Sequence, residues 1–270
     1  MNFRTSEPAF RFRQGRRPLL ISMPHVGTFV PDCVARNLTD EARAVHDTDW
    51  HLERLYDFAD ELGASVLVAT HSRYVIDLNR PPDGSSLYPG QSVTGLCPVD
   101  TFDDTALYRD ASFHPDAAEI QARKQSIWEP YHSQLAAEIA RIQSIHGIAA
   151  LWDAHSIRSQ VPRFFEGRLP DLNLGTADGA SCAPELAATL LDIGRAASAY
   201  TAVLNGRFKG GHITRHYGNP SQGVHAIQLE MAQCTYMMEE LPFDYLSERA
   251  VHIQPHIRSM LEAVLAFVER

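Results

Sequence analysis

An α/β fold, a single three-layer domain around a mixed, largely parallel central sheet, is predicted by two regularities of the sequence. Short apolar runs of strand composition alternate with longer segments of helical spacing, and no repeat, low-complexity tract or linker divides the 270 residues. The strand candidates are PLLISM (18–23), SVLVAT (65–70), SRYVIDLNR (72–80), GIAALWD (147–153), YTAVLNG (200–206) and HAIQLEM (225–231). Helices are predicted where Leu52, Leu55, Phe58, Ala59 and Leu62 recur at helical spacing, over 117–145 with a kink at Pro130, over 184–199 and over 245–268. The stretches 81–115 and 156–183, rich in Gly, Pro, Ser and Asp, read as long ordered loops of the kind that carry function.

Composition narrows the function classes. A chain with 44% hydrophobic and 21% charged residues can bury a core, and a formal net charge of −9 offers no electrostatic grip on nucleic acid. Stretches approaching the ~20 apolar residues of a membrane span are missing, as is a signal-type apolar region at the start, so the expectation is a cytoplasmic protein with no membrane and no nucleic-acid partner. Cys33, Cys97, Cys182 and Cys234 are widely spaced without a CxxC pair, which suggests reduced thiols. An anionic substrate would not be recruited by this surface and would need local arginines.

Three apolar strands end on ionisable groups. PLLISM runs into His25, IAALW into Asp153 and His155, and AIQL into Glu230. In open α/β sheets ligands bind outside the carboxyl ends of strands, so these residues converge even though they are far apart in sequence. Two histidines and a carboxylate are the protein ligands of a catalytic zinc that keeps one position open. The carboxylate comes from HDTDWH (46–51), with Asp49 preferred and Asp47 the alternative or a supporting partner. Asp153, two residues before His155 on a strand, shares its face and is placed to orient it. Against this stand blander roles: strand-end histidines that are merely structural, and an Asp-x-Asp that only caps a helix. Glu230 is harder to treat that way, because an unpaired buried carboxylate is costly. No GxSxG, GxxxxGK[ST], HExxH or GxGxxG pattern offers a competing chemistry.

SMPHVGTFVP, HDTDWHLERLY, SRYVIDLNRP, DAHS and GVHAIQLEM occur in this order from about residue 18 to past 236. This pattern resembles the N-formylglutamate amidohydrolases and, more distantly, the aspartoacylase and succinylglutamate desuccinylase zinc deacylases of carboxypeptidase-like fold. The resemblance implies one zinc ion on His25 and His155, Glu230 as general acid and base, and Asn79 and Arg80 holding a substrate carboxylate and polarising the scissile carbonyl. It departs from the deacylase pattern at Thr28, where those relatives have the glutamate of HxxE, so the acidic ligand must come from Asp49 or Asp47.

The implied substrate is a small dicarboxylate, N-formyl-L-glutamate, which suits the forked guanidinium groups of Arg73 and Arg80. If 72–80 is a strand, Arg73, Asp77 and Asn79 share a face, with Asp77 bracing an arginine. His212, Arg215 and His216, in the Gly-rich segment 211–225, are further candidates for substrate binding, as a lid or as a plain surface loop. The rival readings are a zinc deacylase for another N-acyl amino acid, and a metal-containing amino-acid-binding protein without turnover.

Overall fold

In the computed structural model, which describes residues 3–86, 90 and 92–270, seven strands form one mixed sheet. They are β1 (Phe10–Arg13), β2 (Leu19–Met23), β3 (Ser65–Ala69), β4 (Ala149–Ile157), β5 (Leu172–Gly175), β6 (Ala202–Leu204) and β7 (Val224–Ala232), in the order β1-β3-β2-β4-β7-β5-β6. The central neighbours β3, β2, β4 and β7 are mutually parallel, whereas β1 and β5 join antiparallel. The helices are α1 (Asp32–Ala35), α2 (Leu52–Leu55), α3 (Ala117–Arg123), α4 (Glu129–His146), α5 (Pro184–Ala196), α6 (His212–Tyr217) and α7 (Ser247–Val268).

Every residue of β2, β4 and β7 is buried, which explains why those runs are apolar throughout rather than alternating. Successive side chains go to opposite cores. Leu19, Ile21, Trp152 and Leu229 pack with α2, α5 and α7, while Leu20, Leu151 and Ala226 pack with Tyr131, Leu135, Ile139 and Ile142 of α4. Helix, sheet and helix therefore stack as the predicted three layers. A third, small cluster of Phe102, Ile157, Val161 and Leu169, flanked by Phe164, Phe165 and Phe208, lies among the long loops.

Several elements differ from the sequence expectation. Segment 72–80 is not a strand but a buried series of turns, so strand alternation does not govern which way its side chains project. Its backbone is satisfied locally: the Val75 N–H donates to the Ser72 carbonyl (2.9 Å), Asp77 N–H to Leu96 (2.7 Å), and Arg80 N–H to the Asp77 carbonyl (3.3 Å). Tyr74, Val75, Ile76 and Leu78 still pack into the α4-side core, which accounts for their strand-like composition. The helix expected over 52–62 is only the single turn of α2 followed by a 3-10 turn at Asp57–Ala59. At Pro130, which cannot donate to the preceding turn, the chain stays helical through a π-helical segment, Lys124–Trp128, between α3 and α4. Helix α4 then stops at Gly147, whose φ of 78° suits glycine. Two strands escaped the sequence reading. β1 is a four-residue edge strand in an arginine-rich stretch, and β5 is a four-residue insertion inside the presumed loop 156–183. Within 211–225, six residues form α6.

Candidate active site and metal centre

The carboxyl ends of β2, β4 and β7 build the site. His25 lies two residues beyond β2, and the Asp49 N–H donates to its carbonyl (3.0 Å), which ties the HDTDWH segment to that strand end. His155 stands near the end of β4, in register with Glu230 on β7. The two imidazole rings are 4.8 Å apart between centroids, and Asp49 Oδ2 lies 3.1 Å from His155 Nδ1 and 3.8 Å from His25 Nδ1. One donor atom from each of the three residues falls within 4.8 Å of the others, and all three side chains are buried.

Carboxylates behind the imidazoles orient them. His25 Nε2 donates to Asp77 Oδ1 (2.7 Å), and His155 Nε2 lies 3.1 Å from Asp153 Oδ2. With Nε2 held on a carboxylate in this way, Nδ1 of each ring is turned towards Asp49, where it can ligate a metal once it carries no proton. His25 Nδ1 is buried without a hydrogen-bond partner, an orphan that a divalent cation would satisfy. The donor set therefore fits one divalent ion on His25, Asp49 and His155.

The electrostatics are set by burial and by charges a few ångströms apart. Burial, reinforced by Arg73, lowers the His25 pKa, so the metal-free imidazole is neutral. Burial opposes charge on His155 too, but Asp153 and Asp49 together raise its pKa well above the ordinary value. Asp77 is fully buried, yet Arg80, His25 and Arg73 hold its carboxyl well below the usual range. It accepts from Arg73 Nη2 (2.8 Å) as well as from His25, so it braces an arginine and a histidine at once. Of the two aspartates in HDTDWH, Asp49 joins the histidines. Asp47 instead accepts from the Phe102 N–H (2.9 Å) and fixes a loop at the rim, with its own pKa pushed up by burial.

A cleft of about 570 Å³ opens over this group, lined among others by His25, His155, Arg73, Asn79, Arg80 and Glu230. Burial pushes the Glu230 pKa up to about 8, and the neighbouring His155 pulls the other way. Asn79 is a hinge between elements. Its Nδ2 donates to Asp153 Oδ2 (3.2 Å) and lies 2.9 Å from His155 Nε2, while its Oδ1 accepts from the Ile213 N–H (2.8 Å). Gly211 must be glycine for this contact, since a Cβ there would sit 2.4 Å from Asn79 Nδ2. Arg80 is anchored by Nε to the Thr94 carbonyl (2.9 Å) and by Nη2 to Thr94 Oγ1 (3.2 Å).

His212, Arg215 and His216 are on α6 and are not among the residues lining the cleft. His212 stacks on His216 (5.0 Å) and meets His132 (5.4 Å), its N–H donates to the Asn79 carbonyl (3.3 Å), and Arg215 Nε donates to the Gly210 carbonyl (2.8 Å). The sequence reading missed Ser92, Phe102, Phe164, Arg207, Phe208 and Gln228 in the lining. The rule that picked His25, His155 and Glu230 also applies to Arg207 and Phe208, which directly follow the predicted strand YTAVLNG and the end of β6, so the signal that could have found them was already in the sequence.

Two imidazoles and a carboxylate at parallel strand ends, beside a buried carboxyl whose pKa is pushed up to about 8, define a hydrolase of α/β architecture with a candidate metal site. The particular family follows from the chain itself: it belongs to the N-formylglutamate amidohydrolases, whose family model matches residues 17–237. The sequence is 57% identical to an N-formylglutamate deformylase of Pseudomonas aeruginosa over 95% of this chain and 96% of the relative. It is 52% identical to an N-formylglutamate deformylase of Pseudomonas putida, covering 95% of both chains. The fold matches the crystal structure of an N-formylglutamate amidohydrolase from Ralstonia eutropha with a TM-score of 0.80 at 24% identity, over 97% of this chain and 98% of that one.

Proposed function

We propose that the protein hydrolyses N-formyl-L-glutamate to formate and L-glutamate, with zinc as the metal held by His25, Asp49 and His155. The observation that carries this reading is the cleft, in which Glu230 and the guanidinium groups of Arg73 and Arg80 surround the His–Asp–His group, in a chain more than half identical to a curated deformylase. A zinc ion there would acidify a water molecule and polarise the formyl carbonyl. Glu230 accepts a proton from the water whose oxygen attacks the formyl carbon, and returns it to the glutamate nitrogen as the C–N bond breaks. Burial raises this carboxyl to about 8 in the metal-free site, and the positive charge of a metal ion beside it would favour the carboxylate form that accepts the proton. Arg80 stabilises the developing oxyanion, and Arg73, with Asn79, holds the α-carboxylate side. His212, Arg215 and His216 support these contacts from α6, through the Asn79 carbonyl and the Gly210–Gly211 turn. The four free cysteines suit a reducing compartment, the cytoplasm.

The test is release of formate and glutamate from N-formylglutamate before chelation, after it, and with zinc restored, alongside Glu230→Gln at equal zinc content. Metal-dependent release that falls by about a hundredfold or more in the variant is expected. Release that survives chelation removes the metal's role, and wild-type turnover by the variant removes that of Glu230. No release from N-formylglutamate, with turnover of an N-acetyl or N-succinyl amino acid instead, would reassign the substrate.

A further inference from the structure

Arg73 and Arg80 both lie against Asp77, at 2.8 and 3.9 Å, and so belong electrostatically to the metal-side network. The cleft has a third guanidinium, on a different element. We propose that Arg207 is the specificity-determining residue for the second carboxylate of the substrate, so that the site takes an N-acyl amino dicarboxylate and discriminates against its neutral side-chain amide. This rests on the deformylase reading and adds a substrate-selecting residue to it.

Position is the first argument. Arg207 follows the end of β6, and β5 separates that strand from β7, which carries Glu230. Two strand spacings are roughly 10 Å. That is about the reach from a bond cleaved beside Glu230, along an extended five-carbon amino diacid, through one carboxylate–guanidinium hydrogen-bonded pair. Preorganisation is the second. Arg207 Nε donates to the Phe164 carbonyl (2.6 Å) and Nη2 to the Ser92 carbonyl (3.3 Å), which holds the guanidinium plane. Its Cζ stands 5.8 Å from the Phe164 ring centroid and 5.4 Å from that of Phe208, and both rings line the cleft. Aromatic walls of this kind take the methylenes of a glutamate side chain and strengthen a charge pair at its end by excluding water.

Spacing is the third argument. Arg80 is anchored on Thr94 and Arg207 on Ser92. Residues two apart have Cα atoms no more than about 7 Å from each other, so the two guanidinium groups flank one short stretch of chain, which puts Arg80 at the scissile carbonyl and Arg207 at the far carboxylate within the span of one small ligand. The rim does not depend on Arg207 for its shape alone. Arg163 independently ties Ser92 Oγ (3.1 Å) and Asp100 Oδ1 (2.8 Å) to the 158–165 side.

The experiment compares kcat/KM for N-formylglutamate and N-formylglutamine in the zinc-loaded wild type, Arg207→Met and Arg207→Lys, with melting temperature as the check on folding. Arg207→Met, which keeps most of the stem, should lose about 10- to 100-fold on N-formylglutamate, chiefly through KM, the range of a lost charge-assisted hydrogen bond, while N-formylglutamine changes by less than about threefold. Arg207→Lys should recover part of the loss by restoring charge without the fork. Equal losses on both substrates would make Arg207 a clasp for the rim loops and overturn the proposal, as would no loss on either. If the wild type does not turn over N-formylglutamate, the deformylase reading fails on its own. Calorimetry with glutarate and its monoamide then decides Arg207: a preference for glutarate that Arg207→Met abolishes sustains the proposal, and an unchanged preference overturns it.

Discussion

Asp77 is fully buried and accepts from His25 Nε2 at 2.7 Å, the Asn79 N–H at 2.8 Å and Arg73 Nη2 at 2.8 Å, so Asp77→Asn probes the site and the fold together. The amide oxygen can keep the first two bonds. The amide nitrogen then faces the Arg73 guanidinium, donor against donor, with the balancing charge gone. Arg73 is itself only 7% exposed; among the described residues its other carboxylate within 4 Å is Asp49 Oδ1 at 3.9 Å, and Asp47 attracts it from further away. Breaking a buried ion pair costs about 3–5 kcal/mol, and the residual attraction of Asp49 sets the expectation at the low end, about 3 kcal/mol. At roughly 2 °C per kcal/mol for a chain of this size, the metal-free protein should melt about 6 °C lower, measured by thermal unfolding in excess chelator. Without its charged acceptor His25 is also less firmly held, and zinc affinity by chelator competition should fall about 10- to 100-fold. A variant that melts within about 1 °C of wild type and binds zinc as tightly would refute the hub role of Asp77.

Other consequences follow from the same geometry. Because the folded-state pKa of Glu230 is raised to about 8 from an unfolded value near 4.5, this group stabilises the metal-free fold at low pH and loses that contribution as pH rises through the interval. Chemical denaturation of metal-free Glu230→Gln should therefore show stability rising relative to wild type by a few kcal/mol between about pH 5 and pH 8; parallel profiles would mean that Glu230 ionises normally. His155 must shed the proton that Asp153 and Asp49 retain on it before it can ligate, so zinc binding should release about one proton, read from calorimetry in buffers of different ionisation enthalpy, and His155→Gln should abolish most of that release. Gly211→Ala drives a methyl into the Asn79 amide and should lower kcat at least about tenfold with the core intact, whereas unchanged kcat would show that the cleft tolerates displacement of Asn79.

What the sequence determined by itself was the layered α/β architecture and the core of the site. Buried parallel strands announce themselves as short apolar runs because both faces are covered, and His25, His155 and Glu230 stand out as polar residues where those runs end. Ordered short motifs carried the family resemblance, since each is tied to a strand end or to the turn beside it. Tertiary structure alone decided the rest. It chose Asp49 over Asp47, because a backbone hydrogen bond to His25 fixes one aspartate beside the imidazoles while the Phe102 N–H captures the other. It turned SRYVIDLNR from a strand into buried turns organised around a single carboxylate, which local apolar composition cannot distinguish from a strand because both end up in the core. It also moved α6 out of the cleft lining and put Arg207 into it, because lateral strand order, and not distance along the chain, sets which loops meet above the His25–Asp49–His155 group.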